Sequence, residues 1–184
     1  MIPWLWWFIR VSGLVAYGAT WLAAVFGVML GGRGAGGLAH SASLAKLHEP
    51  WAVLGVIAAV AHAVGSVAAP EGGITPLALV VPGASTTLRV AVTLGTLALW
   101  GVIALVATSW MRARVGVLVW RAVHSASFGV FVLVAGHGWL AGTDVAGGGA
   151  ARDVFLATQV VFAAAVAQRL VLVWVEAPPR DRAA

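Results

Sequence analysis

The sequence has no cysteine and few charged residues. Of its 184 residues only 9% are charged while 61% are hydrophobic, and the mean hydropathy is +0.98. The lack of cysteine excludes disulfides, thiolate ligation of haem and cysteine-held iron–sulfur clusters. Because a soluble domain carries about 25% charged residues, this composition predicts an integral membrane protein. The net charge of +5 forms no basic stripe, so nucleic acid is not an expected partner.

The apolar segments predict an all-α fold, a single-domain helical bundle of five or six spans with the lipid bilayer as its main partner. A span needs about 20 apolar residues. The segments of sufficient length are 11–30, 47–68, 88–110, 115–140 and 154–175. The Gly- and Ser-rich stretch 31–46 is predicted to be a loop, which places Pro50 in the first turn of the second helix.

The ends of the predicted spans differ in their content of Lys and Arg. The connections 31–46 and 111–114 and the tail after the last span together hold six, whereas the opposite side holds Arg10, Arg89 and Arg152. By the positive-inside rule, the N-terminus is expected outside and the C-terminus in the cytoplasm. The expected location is the cell membrane, which the chain crosses several times.

Two of the predicted spans each carry two histidines. His48 and His62 lie fourteen residues apart in the second span, and His124 and His137 lie thirteen apart in the fourth. Both spans run in the same direction, so the histidines fall at two levels roughly 20 Å apart along the helix axis. We therefore predict that His48 with His124, and His62 with His137, are the axial iron ligands of two b-type haems. Two imidazoles on each iron favour electron transfer over ligand binding.

The directions in which the paired histidines point around their helices are less regular than their depths along the helix axis. At about 100° per residue, fourteen residues return a side chain to within about 40° of its starting direction, whereas thirteen leave it about 140° away. The fourth span therefore needs a bend, a π-bulge or haems approached from different sides. Three glycines in this span make distortion easier, namely Gly129, Gly136 and Gly138.

Two other functions compete with the haem hypothesis. Histidines buried between membrane helices can serve as structural hydrogen-bonding groups, which would suit a non-redox membrane subunit or scaffold. A transporter of a metal or of haem usually has carboxylates along its path, but the spans contain only Glu49, at the start of the second. His40 falls in the predicted loop and is interpreted as a surface residue.

Three arginines near span ends are further candidates for cofactor binding. Arg10, Arg89 and Arg121 each lie close to the level of one predicted haem. Arginine pairs bidentately with carboxylates such as the haem propionates. Anchoring to lipid headgroups explains the same positions equally well.

Four stretches resemble the ferric reductase-like transmembrane domain, the haem-binding core shared by ferric reductases and NADPH oxidases. They are IRVSGLVAYGA, KLHEPWAVLGVIAAVAH, TSWMRARVGVLVWRAVH and HGWLAGTD, within residues 8–145. The resemblance implies that His48, His62, His124 and His137 are axial ligands and that Arg10 lies near the outer haem. Those relatives also carry a cytoplasmic flavin and nicotinamide domain, whereas here nine residues follow the last span.

The resemblance implies an oxidoreductase membrane component that needs a separate electron donor. A flavoprotein reductase or the quinone pool would fill that role, and ferric iron, oxygen or a protein would be the outer-side acceptor. The run GRGAGG at residues 32–37 has the spacing of a dinucleotide-binding loop, but it follows a membrane span and not a strand. We therefore do not expect it to bind NAD(P)H.

Overall fold

The computed structural model describes residues 3–30 and 41–175, and within these ranges the chain forms helices and turns but no strand. Five stretches are helical, long and apolar enough to cross a membrane: Trp4–Leu30, Leu44–Ala68, Arg89–Trp110, Val117–Ala141 and Ala150–Leu172. Large apolar side chains on them are open to the surroundings, with Leu118 78% and Val160 68% exposed. Such a surface suits lipid and not water, so the predicted all-α, multi-pass bundle is confirmed.

Nine helices and one short 3₁₀ turn (Pro70–Gly72) make up the described chain. The helices are α1 (Pro3–Leu30), α2 (Ser41–Ala68), α3 (Pro76–Val80), α4 (Arg89–Trp110), α5 (Arg112–Val115), α6 (Val117–Ser125), α7 (Ser127–Ala141), α8 (Thr143–Ala146) and α9 (Ala150–Val175).

Three helices begin earlier than the apolar pattern predicts, and one of them is α9, which begins at Ala150 and not at 154. α1 begins at Pro3 and α2 at Ser41, so the predicted loop 31–46 is wrong for residues 41–46. Pro50 consequently lies inside α2, where it removes one backbone hydrogen bond of the helix. Residues 31–40, with His40 and GRGAGG, lie outside the described residues, as does the tail 176–184.

The proline-rich connection between α2 and α4 packs against α4. Thr96 Oγ1 donates a hydrogen bond to the Ala78 carbonyl at 2.7 Å, and Trp100 Nε1 donates one to the Leu79 carbonyl at 3.0 Å. These bonds satisfy carbonyl groups of α3, whose five residues are too few to satisfy them internally. These bonds hold α3 against the bundle, and its five residues are too few to span a membrane.

Four helices form a ring that positions the histidines. The most extensive interfaces join α1 to α2 and α4 to α7, and smaller ones join α2 to α4 and α1 to α7. In this ring α2 and α7 lie diagonally opposite each other. α9 packs on the outside, against α1.

Candidate functional site

The four histidines of α2, α6 and α7 form two pairs with the same geometry. His48 faces His124, and His62 faces His137. In each pair the ring centroids are 6.0 Å apart and the ring planes cross at 74°. We call these the His48 pair and the His62 pair. The structure thus brings together the residues that the sequence predicted as partners.

The spacing of the rings suits one metal atom between them. A metal–imidazole bond is about 2.0 Å long, so two rings on opposite sides of one metal would have centroids roughly 6 Å apart. Among the described residues there is no group of three or more His, Cys, Asp or Glu side chains that could hold a bare ion. Two protein ligands suffice when the metal brings its own equatorial ligands, as haem iron does. The donor set therefore fits a haem better than a bare ion.

Three of the four rings are oriented by a backbone carbonyl of a neighbouring helix. The Nδ1–O distances are 2.8 to 2.9 Å, with Ile9 as acceptor for His62, Ala23 for His48 and Ala91 for His137. Because a carbonyl oxygen only accepts, each of these Nδ1 atoms carries the hydrogen. The neutral ring then keeps its lone pair on Nε2, the atom left for a metal.

A glycine follows each accepting carbonyl by four residues, on the same helix face and beside the ring. A Cβ added at the glycine would lie 2.9 Å from the ring of His62, 3.1 Å from that of His48 and 2.7 Å from that of His137, the glycines being Gly13, Gly27 and Gly95. At Gly13 and Gly95 an added Cβ would force the ring to shift, and at Gly27 the ring would have to move by a few tenths of an ångström. We call each combination of a carbonyl and the glycine four residues later a ring anchor.

His124 lacks such an anchor. Its Nδ1 is buried and has no hydrogen-bond partner within residues 3–30 and 41–175. Its ring instead stacks on Trp120, with centroids 5.0 Å apart and planes at 26°. The guanidinium of Arg112 lies 4.2 Å from the centroid of the Trp120 ring. Stacking therefore holds His124 where hydrogen bonds hold the other three.

The predicted distortion of the fourth span lies at Ala126. α6 ends at Ser125 and α7 begins at Ser127, and the Ala126 N–H bonds to the carbonyl of Val123, three residues back, at 3.0 Å. This tightened turn separates the two histidines of the span. The break does not fall at any of the three glycines that the sequence suggested.

Arg10, a predicted haem-binding residue, interacts with an acidic and two aromatic side chains of the protein. It forms an ion pair with Asp144 in which Nε lies 3.0 Å from Oδ2. Its guanidinium also lies 4.8 Å from the Trp6 ring centroid and 5.5 Å from that of Trp7. The sequence analysis assigned no such role to Asp144. Arg10 directly follows Ile9, whose carbonyl orients the ring of His62.

The other two candidates for haem binding, Arg89 and Arg121, are exposed and lie near the predicted levels of the two haems. Arg89 donates from Nε to the carbonyl of Gly83 at 2.9 Å and lies two residues before Ala91 in α4. Arg121 lies on α6, three residues before His124. Each arginine is therefore close along its helix to a residue of one pair or to a ring anchor.

A polar cluster joins α1 to α9, and the sequence analysis did not identify it. Gln159 Nε2 donates to Tyr17 Oη at 2.6 Å, and Tyr17 also hydrogen-bonds Thr158 Oγ1. Trp21 Nε1 donates to the Thr158 carbonyl at 2.9 Å. These bonds tie the last long helix to the ring of four.

Comparison with protein-family models, curated proteins and solved structures finds no match for this chain. The function of the site is therefore inferred from its geometry.

One signal in the sequence could have revealed two ring anchors. Gly13 and Gly27 are fourteen residues apart in α1, the same separation as His48 and His62 in α2.

Proposed function

We propose that the protein is a transmembrane di-haem b-type cytochrome that moves electrons across the membrane. The observation that carries the proposal is the pair of facing histidines at two levels, with the same 6.0 Å separation at both. His48 and His124 would hold one haem, and His62 and His137 the other. The bound haems would supply the one-electron redox chemistry.

The residues of the chain do three things for such a cofactor. The ring anchors fix the imidazoles of His48, His62 and His137 and leave Nε2 of these three rings unprotonated, as iron binding requires. The apolar helices exclude water from the space between the levels. Arg89 and Arg121, with their exposed guanidinium groups, are the candidates for pairing with propionates. Arg10 would contribute after exchanging or sharing its pairing with Asp144.

The direction of electron flow follows from the proposed orientation. With the N-terminus outside, the His48 pair lies toward the cytoplasm and the His62 pair toward the outside. A separate flavoprotein reductase or a quinone would deliver electrons, and ferric iron, oxygen or a protein would receive them on the outer side. This is the ferric reductase-like role that the sequence resemblance implies.

The deciding experiment is a reduced-minus-oxidised visible spectrum of the purified protein, with haem counted per chain. We expect two low-spin b haems. His62→Ala and His137→Ala should remove the same one, and His48→Ala and His124→Ala the other. His40→Ala is the matched control, because we assign that histidine to neither pair, and it should keep both haems.

The scaffold function has one observation in its favour. Three histidines already make hydrogen bonds between helices through Nδ1, and such bonds can be purely structural. A protein that contains no haem after purification and after reconstitution with hemin would reject the cytochrome proposal and support the scaffold.

A further inference from the structure

The two histidine pairs differ in how one of their rings is held. Three rings have a hydrogen bond from Nδ1 to a backbone carbonyl. The buried Nδ1 of His124, in contrast, has no hydrogen-bond partner in the described part of the chain. The His62 pair therefore contains two anchored rings, and the His48 pair contains only one.

Trp120 connects His124 to α4 by another route. Its ring stacks on that of His124, with centroids 5.0 Å apart and planes at 26°. Its Nε1 donates a hydrogen bond to Ser109 Oγ in α4 at 3.1 Å, and Ser109 Oγ donates in turn to the Leu105 carbonyl at 2.7 Å. Trp120 thus ties the histidine to a neighbouring helix, as a ring anchor does, but makes no hydrogen bond to Nδ1.

A hydrogen bond at Nδ1 changes how an imidazole binds a metal. It makes the ring more basic and hence a stronger electron donor. Ferric iron gains more from a strong donor than ferrous iron does, because it carries the larger positive charge. Hydrogen bonding around the axial ligands is accordingly one of the ways in which a protein sets the potential of haem. A pair with one anchored ring therefore stabilises ferric iron less than a pair with two.

The charges at the two ends of the bundle act in the same direction. Among residues 3–30 and 41–175, five cations and one anion lie at the end of the His48 pair, and three of each lie at the end of the His62 pair. The first group is Lys46, Glu49, Arg112, Arg114, Arg121 and Arg169, and the second is Arg10, Glu71, Arg89, Asp144, Arg152 and Asp153. Positive charge favours the reduced form of a metal site, which is the less positive form. The excess of cations therefore makes reduction easier at the His48 pair.

We propose that the haem of the His48 pair is the easier of the two to reduce, and that Trp120 is the positioning residue of its ligand His124. This inference rests on the proposed function, since it concerns iron held by the two pairs. A single electron delivered to the chain would then settle at the His48 pair. The two levels would thus differ in their affinity for an electron although their ring geometry is the same.

The test is a potentiometric titration of the haem-loaded, full-length protein, followed in the visible spectrum. The unmodified protein should be reduced in two steps. His62→Ala leaves only the haem of the His48 pair, which should be reduced at the potential of the first step. His48→Ala leaves only the other haem, which should be reduced at the lower potential of the second.

Two arginines that lie over tryptophan rings test the contribution of charge. The guanidinium of Arg112 lies 4.2 Å from the centroid of the Trp120 ring, at the end of the His48 pair. That of Arg152 lies 5.1 Å from the centroid of the Trp139 ring, at the other end. Arg112→Gln should lower the potential of the first step and leave the second unchanged. Arg152→Gln is the matched control and should do the reverse.

Trp120→Leu tests the positioning role. It removes the stacked ring and should weaken haem binding at the His48 pair about tenfold, the lower end of the usual effect of outer partners on metal sites. A hemin titration measures this loss, and the retained haem of the His62 pair shows that the variant is folded. Trp120→Phe keeps an aromatic ring and should lose less. Trp110→Leu is the control, because Trp110 is 69% exposed at the same end of the bundle, and it should bind both haems like the unmodified protein.

The outcomes separate this inference from the proposed function. A single reduction step, or a first step that belongs to the His62 pair, would overturn the inference and leave the cytochrome standing. Unchanged haem binding in Trp120→Leu would remove the role of Trp120, and equal shifts of both steps in Arg112→Gln would contradict the assignment of the first step. A protein without haem would remove the proposed function itself.

Discussion

Gly95 lies beside His137 so closely that a Cβ at Gly95 would come 2.7 Å from His137 Nδ1. Real Cβ atoms do not approach other atoms to that distance, so the imidazole occupies space that only glycine leaves. The same ring donates to the carbonyl of Ala91, one turn earlier in α4. Position 95 therefore controls both the place and the orientation of His137.

The first prediction is that Gly95→Ala displaces His137. The added methyl group forces the ring away from the Ala91 carbonyl, which should cost about 1–3 kcal/mol of stability, as overpacking typically does. The haem signal of the His62 pair should fall while that of the His48 pair persists. Unfolding in detergent and the difference spectrum measure the two effects.

The control for this variant lies in the facing helix. Gly129→Ala adds the same methyl group at a position where, apart from its chain neighbours and its own helix backbone, no atom of residues 3–30 and 41–175 lies within 4 Å of the added Cβ. It should keep both haem signals and change stability by no more than about 1 kcal/mol, in the stabilising direction expected for alanine in a helix. Equal losses for the two variants would contradict the ring-anchor interpretation.

The second prediction compares three glycines of α1. Gly13→Ala should weaken the His62 pair, and Gly27→Ala the His48 pair, because each glycine borders one ring. The Gly27 effect should be the smaller, since the added Cβ would lie 3.1 Å from the His48 ring against 2.9 Å for Gly13 and His62. Gly18 lies between them, and a Cβ added there would have no described atom of another helix within 4 Å. Gly18→Ala should therefore leave both signals intact. The test measures the haem content per chain and the reduced-minus-oxidised visible spectrum of each variant.

The five spans could be predicted because a membrane helix consists of a long run of apolar residues, which is recognisable in the sequence. The pairing of His48 with His124 could be predicted from depth alone, since parallel helices place equal depths side by side. The start of α2 could not, because residues 41–46 are polar enough to read as a loop. Packing against neighbouring helices, and not amino-acid composition, determines where such a helix begins.

The ring anchors were not predicted, for a physical reason. Their acceptors are backbone carbonyls, which every residue possesses, so Ile9, Ala23 and Ala91 carry no distinguishing side chain. Taken one at a time, the glycines beside them, in apolar helices, gave no sequence signal that distinguishes them from other small residues. The pairing of Asp144 with Arg10 was likewise not predicted, because the two residues are 134 positions apart in the sequence.

The third prediction concerns the ion pair of Arg10 and Asp144. The two side chains are only 33% and 20% exposed, and we expect the pair to contribute about 1 kcal/mol, the upper range for partly exposed pairs. Asp144→Asn and Arg10→Gln should each lower the thermal midpoint, and the double variant should lose less than the sum of the two. A double-mutant cycle of unfolding free energies measures the coupling. Strictly additive losses would mean that the pair contributes nothing to stability.

The fourth prediction concerns the attachment of α9 to α1. Tyr17→Phe removes the hydroxyl that Gln159 and Thr158 both contact, while the aromatic ring still stacks on Phe155 at 5.0 Å between centroids. Polar contacts between membrane helices average about 0.6 kcal/mol and reach about 1.7. Because one hydroxyl serves two partners here, we expect a loss of about 1 kcal/mol in a denaturant titration.

Gln159→Leu provides the partner for this test. If Tyr17 and Gln159 act through their shared contact, the double variant with Tyr17→Phe should lose little more than either single one. Thr93→Val is the control, because its hydroxyl bonds only within its own helix, and it should change stability by less than about 0.5 kcal/mol. Losses that add fully in the double variant would mean that Tyr17 and Gln159 act independently and not through their shared contact. Haem content should stay at the unmodified level in all of these variants, since none of them touches a histidine pair or a ring anchor.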